Sequence, residues 1–357
     1  MNEDLRDTIF VKPHEYLTKI LGKYISNMLK NVRNDFCNVR RDDKDNKSEG
    51  SAEIEGENEN DENEEPEKIL ITDPDSEELD FNHSRLTKLE MLEPLSKIRK
   101  LCFTWNLIKK IENLDTLTTL VELELRDNQI AVIENLDTLV NLELLDLSFN
   151  RIRKIEGLEN LLNLQKLFLS SNKIQCIENL SHLKNLLTLE LGDNKIREIA
   201  NLEGLENLTS LFLGKNKITK IENLGCLKNL QLLSLQSNRI IKIENLSELK
   251  NLDQLYLSEN GITSIEGLSN CLKLTTFDLG NNKITKIENI EHLVDLEDFW
   301  INNNEIEKWT SVENLVVNKK LQTVYLEHNP VAKDPNYRRK IKLLLPWLIQ
   351  LDATLCK

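Results

Sequence analysis

Aromatic residues, glycine and proline are all scarce in this chain of 357 residues. Only 5% of the residues are aromatic, and there are 11 glycines and 7 prolines. No Gly-rich phosphate-binding loop is present, which removes the commonest sequence sign of a nucleotide-dependent enzyme. No apolar run reaches the roughly 20 residues of a transmembrane helix. Residues 1–13 also lack the continuous apolar stretch that a secretory signal peptide requires.

Residues that usually bind metals or carry catalysis are few and scattered. The five histidines lie far apart, at positions 14, 83, 182, 292 and 328. The six cysteines have no metal-ligand spacing, and this pattern favours an intracellular protein; they are Cys37, Cys102, Cys176, Cys226, Cys271 and Cys356. We therefore expect no enzymatic activity, no cofactor and no metal site.

Negative charge is in excess and is concentrated near the N-terminus. The formal net charge is −14, with 46 Lys and Arg against 60 Asp and Glu. Residues 1–41 carry a net +3, whereas residues 42–67 carry two Lys and thirteen acidic residues. A segment so acidic and so poor in apolar residues is predicted to be disordered. An acidic chain is also a poor candidate for nucleic-acid binding, because that affinity comes from Lys and Arg on phosphates.

An amphipathic segment precedes the acidic run and defines an N-terminal segment over residues 1–41. Its apolar residues follow helical spacing; they are Leu17, Ile20, Leu21, Tyr24, Ile25, Met28, Leu29 and Val32. Three interpretations stay open for this short helix. It docks on the end of the rest of the chain, folds on a partner, or contacts a membrane weakly.

The dominant feature of the sequence is an asparagine that recurs every 22 residues. One unit, built on Leu142, Leu145, Leu147, Asn150 and Ile152, reads L-x-x-L-x-L-x-x-N-x-I-x-x-I-E-[NG]-L-x-x-L. The pattern resembles the 22-residue class of leucine-rich repeat and predicts an α/β solenoid, a horseshoe with a parallel concave sheet. Ten asparagines hold the spacing without a break: Asn106, Asn128, Asn150, Asn172, Asn194, Asn216, Asn238, Asn260, Asn282 and Asn304.

The physics of one unit agrees with this prediction. Leu145 and Leu147 alternate with polar residues, which is the period of a strand with one buried face. The remaining dozen or so residues are too few for a full α-helix with loops, so the convex side is predicted to be 3₁₀ or irregular. The Asn150 amide has two donors and an acceptor that can satisfy buried backbone groups at the turn. We expect these asparagines to be structural.

The array is predicted to contain about twelve repeats over residues 68–329. A first unit, with Ser84 in place of the asparagine, precedes Asn106, and a last unit ends at Asn329. Residues 330–357 then contain a Tyr337-Arg338 pair and a Leu-Pro-x-Leu-x-x-Leu-Asp motif ending at Asp352. This segment resembles the C-terminal cap of intracellular leucine-rich-repeat proteins, which covers the last sheet edge.

One position in each repeat is unusual in composition. It lies between the two buried leucines of L-x-L and faces the concavity. Five of its twelve residues are aromatic, where a 5% aromatic content predicts fewer than one; five more are acidic and none is Lys or Arg. We call this position the concave row: Asp80, Cys102, Glu124, Asp146, Phe168, Glu190, Phe212, Ser234, Tyr256, Asp278, Trp300 and Tyr325.

The concave row predicts a surface that binds a protein partner. Exposed aromatics in a continuous stripe mark interaction sites, and Tyr and Trp dominate interface energetics. The acidic members favour a partner with basic groups. Twelve strands give an inner arc on the order of 50 Å, which suits a globular domain. The competing interpretation is that the aromatics merely stack on one another.

The array and cap closely resemble the leucine-rich-repeat regulatory subunits of protein phosphatase 1, over roughly residues 70–357. The resemblance rests on the Ile-Glu-Asn-Leu segments, the twelve repeats, the cap and the concave row. It implies a non-catalytic protein of the nucleus and cytoplasm that binds the phosphatase catalytic subunit and controls its activity, maturation or targeting, leaving room for a further regulatory protein. The matched partner-binding positions are Asp146, Phe168, Glu190, Phe212, Asp278, Asp298, Trp300 and Tyr325.

Tyr256 completes the predicted site, because it belongs to the same row and is aromatic. Asp298 lies two residues before Trp300 and stands where the family commonly has Glu. An alternative function is an intracellular leucine-rich-repeat scaffold for another partner, such as a ciliary, spliceosomal or tubulin-associated protein. It would use the same fold, since a fold does not define a partner.

Overall fold

A computed structural model of the protein describes residues 69, 71 and 73–356. The predictions for the N-terminal segment, residues 1–41, and for the acidic linker, residues 42–67, lie outside the described residues. The remainder contains one continuous sheet whose strands follow each other in chain order, with no crossover.

Each strand is three residues long up to the cap. Strands β1 to β12 are Glu78–Asp80, Lys100–Cys102, Glu122–Glu124, Leu144–Asp146, Lys166–Phe168, Thr188–Glu190, Ser210–Phe212, Leu232–Ser234, Gln254–Tyr256, Thr276–Asp278, Asp298–Trp300 and Thr323–Tyr325. Strands β13 and β14 are Gln350–Leu351 and Thr354–Leu355.

The strands pair in parallel and in strict register. In β4 and β5, for example, Leu144, Leu145 and Asp146 face Lys166, Leu167 and Phe168 one to one. Only the last pair, β13 with β14, is antiparallel. Because side chains alternate across a strand, the middle apolar residue of every triplet, usually leucine, points inward and the outer two residues face the concave side.

The core lies between the sheet and the returning chain. In the repeat around Asn150, four apolar side chains are completely buried: Leu145, Leu147, Ile152 and Ile155. The return segments between β1 and β11 consist of turns and bends. A helix α1, Trp309–Val312, and a 3₁₀ helix, Glu313–Val317, appear only between β11 and β12. The parallel solenoid with a mostly irregular convex side is therefore confirmed.

The repeating asparagine satisfies backbone groups of two successive coils. The Asn194 amide nitrogen donates to the carbonyls of Leu169 at 2.9 Å and Leu191 at 3.0 Å, and its oxygen accepts from the Ile174 N–H at 3.0 Å. The residue is only 7% exposed. Without it the buried Ile174 N–H would lack an acceptor, and each carbonyl would keep only the donor from a neighbouring asparagine of the ladder. An unsatisfied N–H is costly in a dry interior.

Two further asparagine ladders follow the same 22-residue period. Asn179, from an Ile-Glu-Asn-Leu segment, adopts a left-handed φ of 58° and donates to the Ile155 carbonyl at 2.7 Å. Asn185, on an exposed turn, donates to the Leu162 carbonyl at 3.0 Å. Asparagine is well suited to the first position, since it tolerates φ above zero better than most residues. The asparagine of the Ile-Glu-Asn-Leu segment thus has a structural role. At the level of the sequence, this segment served only as a mark of the family.

The C-terminal segment continues the sheet before it ends it. After the 3₁₀ helix Pro330–Lys333 and the helix α2, Tyr337–Leu344, strand β13 pairs with β12. Asp352 accepts the N–H groups of Leu326 and Glu327 at 2.9 and 3.0 Å, and the Tyr337 hydroxyl donates to the same carboxylate at 3.1 Å. Asp352 therefore takes over the role of the asparagines at the end of the array. In the described part of the chain, no helix is long and apolar enough to cross a membrane.

Removing one member of the buried ladder is predicted to destabilise the whole array. Asn194→Ala leaves the buried Ile174 N–H without an acceptor and removes one of two donors from the Leu169 and Leu191 carbonyls. The free energy of unfolding should therefore fall by about 2–4 kcal/mol. Urea denaturation followed by circular dichroism measures the change. The matched control is Asn185→Ala, which removes one exposed hydrogen bond and should cost less than about 1 kcal/mol. Equal effects of the two substitutions would contradict the role assigned to the buried ladder.

Candidate partner-binding surface

The structure brings the nine predicted site residues onto one side of the sheet. Eight of them occupy the third position of strands β4 to β7 and β9 to β12, and the register aligns those positions strand by strand. Asp298 is the first residue of β11, so it shares the concave face with Trp300 two residues later. The order along the row is Asp146, Phe168, Glu190, Phe212, Tyr256, Asp278, Trp300 and Tyr325, with Ser234 between Phe212 and Tyr256.

The expectation that the aromatics of this row are exposed is wrong for three of them. Phe168, Phe212 and Tyr256 are only 8%, 4% and 8% exposed, whereas Trp300 and Tyr325 are half-buried. The reason is geometric. Strands about 4.8 Å apart, curved toward the concave side, press neighbouring side chains against one another. The concave surface therefore consists mainly of the accessible edges of rings that pack against their neighbours.

The aromatic members form a cluster toward the C-terminal end of the row. The Trp300 ring lies 6.2 Å from the Tyr256 ring and meets the Tyr325 ring edge-on at 6.3 Å. Phe212, Leu232 and Tyr256 pack together, with Trp300 against them. Leu232 was not singled out from the sequence alone. Its signal was present, because an apolar residue at the first strand position lies on the same face as the row.

Three carboxylates of the row are held in the same way. Asp146 accepts the N–H of Ser148 at 2.8 Å, Glu190 that of Gly192 at 2.7 Å, and Asp278 that of Gly280 at 2.9 Å. Each carboxylate therefore bends toward the turn that follows its own strand. In the described residues none of the three has a salt-bridge partner within 4 Å.

Burial sets the protonation of these carboxylates. It raises the pKa of Asp146 to about 6, of Asp278 to about 7 and of Glu190 to about 8, against the lowering effect of the backbone N–H bonds. The Ser148 and Ser258 hydroxyls also lower the pKa of Asp146 and Asp278 respectively. The charge of Arg126 lowers the pKa of Asp146 as well, but burial outweighs it. Desolvation disfavours the charged form, and a cation placed beside these carboxylates would favour it.

Two polar atoms of the row lack a partner. Asp278 Oδ2 and Trp300 Nε1 are buried without a hydrogen bond, and their residues face each other across β10 and β11. Such groups cost stability, so each calls for a physical reason. An acceptor beside a donor on one surface suits a partner that supplies the complementary groups. Asp278 is 1% exposed, so its oxygen is reached only through the gaps between its neighbours.

The N-terminal end of the row contrasts with this centre. There Lys100 lies 2.7 Å from Glu122 and 3.3 Å from Glu124, so the acidic groups are neutralised within the fold. Cys102, next in the row, is buried. In the described part of the chain, His, Cys, Asp and Glu side chains form no group of three that could hold a metal ion. The three buried carboxylates without a salt bridge, Asp146, Glu190 and Asp278, lie in the part of the row that contains the aromatics.

The comparison with known families agrees with this architecture. The leucine-rich repeat family model matches residues 102–214 and 233–356, which is more than half of the chain. A second model, for two copies of the repeat, matches residues 206–250. The chain belongs to the leucine-rich repeat family.

Among curated proteins, a short segment is similar to protein phosphatase 1 regulatory subunit 7. The identity is 67% over 36 residues with the Danio rerio protein and 61% over 36 residues with the Homo sapiens protein. Each match spans about a tenth of this chain and a tenth of the relative, 10% in both cases. The segment supports the resemblance without extending it to the whole length of those proteins.

Solved structures share the fold. An internalin of Listeria monocytogenes superposes with a TM-score of 0.63 at 24% identity, over 78% of this chain and 87% of that chain. A leucine-rich-repeat protein of Leptospira interrogans gives a TM-score of 0.63 at 26% identity, over 75% and 76%. These similarities concern the solenoid itself, since a shared fold does not carry a shared function.

The buried carboxylate of Glu190 is predicted to make the fold less stable as the pH rises. Its pKa is about 8 in the folded chain and 4.5 is the ordinary value, so the folded state binds the proton more tightly. The contribution of Glu190 to the free energy of unfolding is therefore greatest below pH 4.5 and falls as the pH rises toward 8. Glu190→Gln keeps an acceptor for the Gly192 N–H and removes the titration. It should raise the free energy of unfolding by a few kcal/mol, on the order of 2–4, at pH 8.5 and change it little at pH 4.5.

Urea denaturation of both proteins at pH 4.5, 6.5 and 8.5 measures this difference. Glu206→Gln is the matched control, because Glu206 is exposed. A Glu190→Gln variant whose stability follows that of the unsubstituted chain at every pH would show that the carboxylate is ionised without cost.

Proposed function

We propose that this protein is a non-catalytic regulatory subunit that binds the catalytic subunit of protein phosphatase 1 through its concave row. The observation that carries the proposal is the alignment of Asp146 through Tyr325 as one row of acids and aromatics, interrupted by Ser234. The similarity of a 36-residue segment to proteins named protein phosphatase 1 regulatory subunit 7 adds support.

The proposed contact uses the two parts of the row differently. Trp300 and Tyr325 keep exposed ring surface and anchor the partner by burying it, as aromatic residues do at interface hot spots. Asp146, Glu190 and Asp278 receive basic side chains of the partner. A cation beside a buried carboxylate favours its charged form, so binding restores the negative charge that burial suppresses. Asp298, at the rim, steers the basic partner by longer-range attraction.

The proposal includes control of the phosphatase's activity, maturation or targeting by the bound subunit. A solenoid that embraces a catalytic domain can act on it without chemistry of its own. Residence in the nucleus and cytoplasm belongs to the same proposal. It can be checked by fluorescence microscopy of the tagged chain.

An intracellular leucine-rich-repeat scaffold for a different partner is the alternative, and the same experiment separates the two. The full chain is mixed with purified phosphatase catalytic subunit and the affinity is measured by biolayer interferometry. Capture from cell extract followed by mass spectrometry identifies the bound protein in parallel. A scaffold for another partner predicts no binding to the phosphatase at micromolar concentration.

Trp300→Ala with Tyr325→Ala is predicted to weaken phosphatase binding at least about a hundredfold, because two hot-spot aromatics contribute roughly 2 kcal/mol or more each. The matched control is Trp105→Ala. Trp105 is an aromatic residue outside the row and is 56% exposed. It should leave the affinity unchanged.

Thermal denaturation checks that the double variant is folded, which matters because the Tyr325 hydroxyl accepts a hydrogen bond from Gln350 of β13 at 2.8 Å. Tyr325→Phe removes the hydroxyl but keeps the ring, and it should retain most of the affinity. A folded double variant that binds the phosphatase as tightly as the unsubstituted chain would overturn the proposal.

A further inference from the structure

A second charged row lies away from the concave face, directly after the asparagine ladder. The residue that follows the asparagine is basic in five consecutive repeats. Each backbone N–H donates to a carbonyl of the preceding coil at 2.8 Å, so the five positions are stacked in register. We call this the cationic row: Arg151, Lys173, Lys195, Lys217 and Arg239. It ends at Gln129 on one side and Gly261 on the other.

The five cations are exposed or half-buried, and none has a carboxylate within 4 Å in the described part of the chain. Two of the acids that follow the row in their coils pair with other lysines, Glu156 with Lys154 and Glu222 with Lys220, both at 3.2 Å. On the concave flank, Asp193 accepts a hydrogen bond from the Ser171 hydroxyl at 2.9 Å. Exposed Arg153 and Arg197, two residues further along their coils, add to the positive charge.

Like charges stacked at the spacing of paired strands, about 4.8 Å, oppose folding. The fold does not compensate them internally. Four intervals of this spacing make a strip on the order of 20 Å long and one charge wide. Its charge is opposite in sign to the net charge of −14 of the whole chain. An anion that covers the strip relieves the repulsion.

We propose that the cationic row is a docking strip for an extended acidic segment of a partner protein, separate from the concave row. Alternate residues of an extended peptide lie about 6.6 Å apart on one face. A strip on the order of 20 Å spans about three such intervals and thus matches about four acidic side chains at alternate positions. The flexible stems of Lys and Arg accommodate the difference between the two spacings.

A peptide fits this strip better than a nucleic acid does. No aromatic residue lies in the cationic row, so bases would have no stacking platform of the kind that single-stranded nucleic acids use. A strip one charge wide meets one edge of a duplex at best. The acidic surface of the rest of the chain repels a dense polyanion more strongly than a short acidic peptide.

The test uses the full chain and a fluorescein-labelled eight-residue peptide with Glu at alternate positions and Ser between them, in fluorescence anisotropy. At 20 mM NaCl the peptide should bind saturably, and a peptide with Gln in place of Glu should not bind. The triple variant Lys173→Glu, Lys195→Glu and Lys217→Glu should weaken binding by roughly tenfold or more, since each exposed charge pair contributes a few tenths to 1 kcal/mol and reversal adds repulsion.

The control variant reverses three exposed lysines in the turns that precede strands, Lys184→Glu, Lys250→Glu and Lys273→Glu. It carries the same net charge and should bind the peptide nearly as well as the unsubstituted chain. Equal losses in both variants would overturn the proposal, because they would reflect net charge alone. The absence of saturable peptide binding would overturn it as well, as would preferential binding of a labelled twelve-residue oligodeoxythymidine that the row variant abolishes.

The experiment is independent of the concave row. The double variant of the concave row, Trp300→Ala with Tyr325→Ala, should bind the acidic peptide normally. The triple variant of the cationic row should still bind the phosphatase. Loss of phosphatase binding by the concave variant alone thus supports the proposed function whatever happens at the cationic row.

Discussion

The hydrogen bonds of the buried asparagine hold together every other feature of this structure. Each amide connects the turn of its own coil to backbone groups of the preceding coil, as Asn194 does with Leu191 of its own coil and with Leu169 and Ile174 of the coil before. The strand segments are only three residues long and have few ladder bonds of their own. The side-chain amides therefore fix the register, and register decides which residues become neighbours. Where the asparagines end, Asp352 takes up the same task with the N–H groups of Leu326 and Glu327.

Register turns a repeated position in the sequence into a row in space. The concave row places buried acids among packed aromatics, and the fold gives each of Asp146, Glu190 and Asp278 one backbone N–H but no salt bridge. This arrangement costs stability in the isolated chain, and the proposed basic partner would relieve that cost. The cationic row has the opposite sign and lies on another side of the same coils. A single repeat thus carries two charged positions, whose chemistry becomes visible only when several repeats are stacked.

Much of the candidate site was predictable, because the 22-residue spacing determines which side chains share a face. The spacing alone predicted the order of residues along the concave row, for example Asp146, Phe168, Glu190 and Phe212. Their exposure was not predictable, since it depends on the curvature of the sheet and on how far Phe212, Leu232 and Tyr256 press together. The second and third asparagine ladders were missed for a similar reason. Asn179 and Asn185 each reach a carbonyl 23 or 24 residues earlier, and only the closed coil brings those groups within 3.0 Å.

The sequence by itself determined the solenoid, its parallel strands and the order of residues along the concave row. Local spacing decides these features, because each repeat contacts only its neighbours. The tertiary structure alone decided which members of the row keep solvent-accessible surface, which carboxylates have a raised pKa and which polar atoms remain without a partner. Those properties depend on the distance between coils and on the bending of the sheet, which arise from the packing of the whole array.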